Sequence, residues 1–177
     1  MPRFTIKKGC HYSDNRFFKL WLWKTKYSFI IDFDDSIIQY NEKETNKDDI
    51  NKIVGVCFWS LKALWWSLIN FKAIHQHNSI RLGYVVREGL LDLFVYYYQN
   101  GTRFSEYITT VKAFGYFDFE IDTSDSLAIT TLREKRTGVE YRKLVSSFCT
   151  KTATMLFPYY GGDETAKSDF LINIDIT

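Results

Sequence analysis

Glu120 and Asp122 stand two residues apart in the run Glu120-Ile121-Asp122-Thr123-Ser124-Asp125. On a β-strand, residues at i and i+2 share a face, so both carboxylates are expected to project the same way. Two carboxyl groups about 5–5.5 Å apart on a rigid element are what a retaining glycosidase uses as nucleophile and acid/base. The residues that follow are turn formers, which supports a plainer reading as a strand end running into a polar turn. Glu120 and Asp122 are the catalytic candidates, weighed against that plainer reading.

A second group suits binding. Tyr96 and Tyr98 alternate along one run, and Arg81 and Arg87 alternate along the run before it, so the four can share one sheet face. Sugars stack their apolar faces on Tyr and Trp, while their hydroxyls pair with Asp, Asn, Gln and Arg. Trp65 and Trp66 are consecutive in residues 61–74, the stretch that strand periodicity explains least. Neighbouring residues point apart on a strand and lie about 100° apart on a helix. One indole is therefore expected to be exposed or covered by a partner, as interface anchors are. The binding candidates are Trp65, Trp66, Arg81, Tyr96 and Tyr98; for the four aromatics, packing inside the core is the competing assignment.

No metal or cofactor is expected. His75 and His77 would offer two imidazoles from one strand face, but no acidic or Cys ligand lies at a suggestive spacing. A structural role at the head of the next strand is the alternative for this pair. Cys10, Cys57 and Cys149 are odd in number and widely spaced, which fits inert buried thiols rather than a disulfide framework. Gly161-Gly162 lacks the Lys-Ser/Thr of a phosphate loop, and no Ser or Cys sits in a nucleophile elbow.

The elements that must position these residues are mostly strands. Residues 79–87 place Ile80, Leu82, Tyr84 and Val86 on one face, with Ser79, Arg81 and Arg87 on the other. Glu88-Gly89 turns the chain, and residues 90–98 are apolar or aromatic almost throughout, as in a strand covered on both faces. Asn100-Gly101 is a type I′ hairpin signal, because both central residues need positive φ.

Further strands are predicted at residues 4–7, 16–23, 27–33, 37–40, 53–60, 104–111, 114–121, 126–132, 139–148, 156–160 and 170–176. Residues 41–51 read as a polar loop, and residues 61–74 as a short helix or irregular insertion. Ten to twelve short strands at hairpin spacing, with at most one short helix, give an all-β, two-sheet antiparallel β-sandwich or barrel. The 177 residues fit a single domain, 1–177.

A net charge of +2 leaves no overall footprint for nucleic acid or an anionic membrane. Residues 53–74 are broken by Lys62 and Lys72, so membrane insertion is not expected. The N-terminal residues carry cations without an apolar run behind them. A signal peptide is therefore not expected, and the reading is a soluble protein made in the cytoplasm.

Three segments carry a resemblance: HNSIRLGY, FVYYYQNGTR and LFPYYGGDETAKSDFLINI. They resemble small β-sandwich proteins of Bacteroidetes and their phages, similar in shape to the concanavalin A-like lectin/glucanase jelly roll. Tyr84 stands where that pattern implies Trp, and Lys167 where it implies Pro. Glu120, Asp122 and Asp125 resemble the E-x-D-x-x-E signature of laminarinase-type glucanases, with Asp125 in place of the last Glu. The Arg-rich and Gln-Ile-His strands of alginate-lyase-type sequences are absent.

The resemblance implies a scaffold shared by lectins, hydrolases, lyases and structural modules. The leading expectation is a non-enzymatic module, either a virion or surface component or a glycan-binding adhesin-like domain. Its partner would be a glycan or a protein, in a homo-oligomer or a larger assembly. The alternatives are a glycan hydrolase using Glu120 and Asp122, and an intracellular interaction module.

Overall fold

Period-two alternation becomes two antiparallel sheets of six strands each, packed face to face. The computed structural model describes residues 1–40, 46, 48–125, 127–145 and 149–177. The strands are β1 (Arg3–Ile6), β2 (Leu20–Leu22), β3 (Lys26–Phe33), β4 (Asn51–Phe58), β5 (Ser79–Arg87) and β6 (Leu90–Gln99). They continue with β7 (Thr102–Lys112), β8 (Gly115–Asp122), β9 (Ala128–Glu134), β10 (Glu140–Val145), β11 (Thr152–Leu156) and β12 (Phe170–Ile176). The first sheet runs β1-β12-β3-β8-β9-β10, and the second β2-β11-β4-β5-β6-β7. One α-helix, α1 (Leu61–Asn70), follows β4. This is the expected all-β, two-sheet antiparallel sandwich with one short helix.

The inward faces are aromatic. Tyr27, Phe29, Phe117 and Phe119 of the first sheet meet Phe58, Leu82, Leu93 and Tyr84 of the second, all buried. Trp21 and Phe58 both pack edge-on against Tyr27 across the sandwich, with ring centroids 5.2 and 6.1 Å apart. Such pairs contribute roughly 0.5–1.5 kcal/mol each beyond the area they bury.

Several expected elements moved. Residues 16–19 are not strand, and Phe17 instead sets its ring edge against Phe157 at 5.3 Å. Residues 37–40 are not strand either; a 3₁₀ turn at Asp35–Ile37 leads to Gln39, whose amide bonds the backbone of residues 167 and 168. The strand expected at 156–160 lies earlier, as β11, because Pro158 has no N–H to continue a ladder. Ala153, Thr154 and Met155 are all buried, with Ala153 and Met155 in the core and the Thr154 hydroxyl bonded by the Trp59 indole, a pattern the threonine hydroxyls disguised. Ser126 and residues 146–148 of two expected strands, and most of the loop expected at 41–51, fall outside the described residues. Cys10 is exposed rather than buried.

The second sheet positions the candidate site through cross-strand rows. Arg81 lies opposite Gly55 on β4 and Tyr96 on β6, and Ser79 opposite Cys57 and Tyr98. One step further, Lys52 lies opposite Gly83. Each cation thus faces a glycine. At Gly55 a Cβ would collide with the backbone of Ile80 and Arg81 and lie 2.9 Å from the Arg81 side chain. The glycine leaves that space to the arginine stem.

Candidate binding site

On the outward face of the second sheet, these rows open into a cavity of about 430 Å³. Arg81, Ser79, Tyr96 and Tyr98 form its floor, with Lys52 alongside. One wall is the segment from Ala73 to Gln76, a second the loop from Phe157 to Gly162, and Tyr12 and Arg16 close a third side. The volume falls within the range that holds small ligands. Among the described residues, no Asp or Glu lines it.

Arg81 is 7% exposed, and its guanidinium donates one bond to the Phe157 carbonyl at 2.6 Å. Its Nε is buried without a hydrogen-bond partner, and among the described residues no carboxylate forms an ion pair with it. Burial lowers its pKa to about 10, which leaves it charged at neutral pH. A buried cation lacking its anion bears a desolvation cost that an incoming anion would relieve.

Lys52 stands at a register shift between Lys52 and Val54, where both Ile53 and Val54 turn into the core. Its backbone exchanges two 2.8 Å hydrogen bonds with Tyr159, which ties the 157–162 loop to β4. Its ammonium lies 4.9 Å from the Tyr96 ring centre and 5.4 Å from that of Tyr159. Burial first, and Arg81 second, lower its pKa from 10.5 to about 8. The Tyr96 hydroxyl donates to that of Tyr98 at 3.2 Å. Burial raises the Tyr96 pKa, as does the bond to Tyr98, so the phenol stays protonated. Burial, then Arg81 and Lys52, push His75 down to about 4, which makes it a neutral donor or acceptor on the cavity wall.

The structure thus gathers Arg81, Tyr96 and Tyr98 and leaves the other candidates elsewhere. Arg87 shares the face but sits at its far end, paired with Asp48 at 2.6 Å. Trp66 packs edge-on against His77 at 5.1 Å and lies over the turn at Gly101. Trp65 is exposed on α1. His75 and His77 do not share a strand face, because Ile74–Gln76 is a 3₁₀ turn; His75 lines the cavity and His77 is buried beneath Trp66. Among the described residues no group of three or more His, Cys, Asp or Glu is placed to hold a metal.

Glu120 and Asp122 project from the outward face of β8, on the other sheet. Glu120 accepts from Ser28 at 3.5 Å, and Asp122 pairs with Lys26 at 2.8 Å. Burial pushes the Asp122 carboxyl up, but bonds from Lys26 and Ser124 outweigh it and hold it below its usual value. Lys52, His75, Tyr12 and Tyr159 are the site residues that sequence reasoning did not gather. The signal available for Lys52 was a lone lysine opening an otherwise apolar strand.

No protein-family model and no curated protein matches the sequence. Solved structures do match in fold. A functionally unknown protein from Saccharomyces cerevisiae aligns over 99% of this chain and 87% of its own at 9% identity, TM-score 0.50. A family 7 alginate lyase, A1-II′, in complex with substrate aligns over 90% of this chain and 63% of its own at 11% identity, TM-score 0.46. Scytalido-glutamic peptidase, with a peptide-based transition-state analogue, aligns over 88% of this chain and 61% of its own at 11% identity, TM-score 0.41. The chain therefore spans under two thirds of the lyase and the peptidase. The likeness at TM-score 0.50 concerns the fold alone, which here is the two-sheet antiparallel β-sandwich.

Proposed function

We propose that the cavity on the second sheet binds a saccharide bearing a carboxylate. The observation that carries this reading is Arg81, a buried guanidinium lining the cavity with an unsatisfied Nε and, among the described residues, no ion-paired carboxylate. A planar carboxylate matches the guanidinium fork, and Lys52 adds a second cation beside it. The Tyr98 and Tyr12 hydroxyls can bond the hydroxyls of a pyranose. A purely structural role on a virion, or an interaction surface inside a cell, calls for none of these features. The hydrolase alternative would have to work on the other sheet, where Glu120 lines a separate cavity of about 380 Å³ and Asp122 is held by Lys26.

Titration by NMR or calorimetry with a uronic-acid trisaccharide and a neutral trisaccharide tests the reading. The acidic sugar is expected to bind and the neutral one at least about tenfold more weakly, the scale of one charged contact. Arg81→Met, which keeps the stem, is expected to erase the preference while the fold survives by circular dichroism. Equal binding of the two sugars, or an unaltered preference in Arg81→Met, would overturn the proposal.

A further inference from the structure

Helix α1 is built inside out. Its Ala63 is fully buried, and Trp66 and Ser67 are half-buried on the same side. Leu61, Trp65, Leu68 and Ile69 are 79%, 65%, 61% and 71% exposed, and Leu64 is exposed beside them. At about 100° per residue these five span an arc of roughly 140°, turned away from the protein. Phe71 caps the helix in the left-handed region and is 96% exposed at its tip.

The apolar surface continues past the helix. Leu22 of β2 lies opposite Thr152, and Trp59 bonds its amide to the same residue at 2.9 Å, so Leu22 and Trp59 flank it in one row. Strands β2 and β4 both run antiparallel to β11. Trp23 therefore leaves β2 at the end of the sheet where α1 leaves β4. Trp23 is 81% exposed, and Leu20 and Leu22 are exposed with it.

The charge around this surface has one sign. From Ile50 to Arg87 the sequence contains no Asp or Glu, and Lys62 and Lys72 are the cations of that run nearest the helix. Lys62 and Lys72 bracket the helix, and Lys151 lies 6.0 Å from the Trp23 ring centre. A second copy of this chain would set lysines against lysines. A protein groove would have to match a face whose exposed arc offers one hydrogen-bonding side-chain group, the Trp65 indole, against about one bond per 100–200 Å² in ordinary interfaces. A lipid surface asks for neither. Acyl chains accept Leu, Ile and Phe, indoles favour the headgroup level, and lysines meet lipid phosphates. The helix is about 15 Å long, which suits lying in the interface, and no helix among the described residues is long and apolar enough to cross a membrane.

We infer that α1 and the adjoining β2 edge form a landing face for an anionic lipid bilayer, independent of what the cavity binds. Flotation of the full chain with vesicles of phosphatidylcholine, with and without phosphatidylglycerol, tests this. Co-flotation is expected with the anionic vesicles, weakened by salt, with a blue shift of Trp fluorescence. The double variant Leu68→Glu, Ile69→Glu alters exposed positions only, so its melting temperature should stay near wild type while vesicle binding falls at least about tenfold. Wild-type protein remaining unbound by anionic vesicles, or a folded double variant that floats equally well, would overturn the proposal. So would a concentration-dependent dimer in sedimentation that the double variant abolishes without any vesicle binding.

Discussion

Lys52 carries the pH dependence of the cavity. With its folded pKa lowered to about 8 by burial and by Arg81, the unfolded chain holds that proton more tightly between about pH 8 and 10.5. Without ligand, this group therefore makes the protein more stable as pH rises through that window. A bound anion reverses the preference, because it favours the charged ammonium. Affinity for an acidic saccharide is expected to be flat below pH 7 and to decline above about pH 8, by up to roughly tenfold per pH unit for one proton. Binding near pH 8.5, about where the group is part-titrated, should take up protons, seen as buffer-dependent heats. A constant affinity from pH 7 to 10 would remove Lys52 from the site. At this scale the sequence was half legible. Arg81, Tyr96 and Tyr98 could be gathered because strand alternation and one hairpin fix their register. Lys52 and His75 could not, since a register shift and a 3₁₀ turn aim them and neither follows a period.

The hairpin tip and the helix stabilise one another. Asn100 and Gly101 both have positive φ, at 50° and 85°. The Asn100 amide bonds the Asn78 side chain at 2.8 Å, and the Gly101 amide bonds the His77 carbonyl at 2.9 Å. Trp66 lies so close above Gly101 that an added Cβ would come within 2.6 Å of the indole. Gly101→Val therefore meets both a backbone penalty and a clash that lifts α1. A loss of more than about 2 kcal/mol is expected in denaturant unfolding, with increased hydrogen exchange across α1. Ordinary surface behaviour, below about 0.5 kcal/mol, would show that the tip is not packed this way. The turn was legible because Asn-Gly admits few conformations. The helix was only half legible: Leu61, Leu64, Trp65 and Leu68 recur at helical spacing, which argues for a helix but implies that its apolar side faces the core. The structure turns that side outward, with Ser60 capping the Ala63 amide at 3.0 Å.

Both sheets depend on the end of the sequence. Strand β12 lies between β1 and β3, and β11 between β2 and β4. Removing residues 170–177 takes Ile172 and Ile174 from the core and separates β1 from β12, its one strand partner among the described residues. The truncated chain is expected to lose its cooperative thermal transition altogether. A sharp melt at a lower temperature would mean that the second sheet folds by itself. The sandwich as a class was legible in the alternation. Its strand order was not, because alternation records which face a strand buries and says nothing of which neighbour it joins. That order also sets a timetable for biosynthesis. A ribosome extends a chain at roughly 5–20 residues per second, so β5, β6 and β7 emerge as a self-contained meander, while Phe4 and Ile6 of β1 wait roughly 8–33 s for β12. During that interval an unpaired apolar edge is open to chaperones and to other nascent chains.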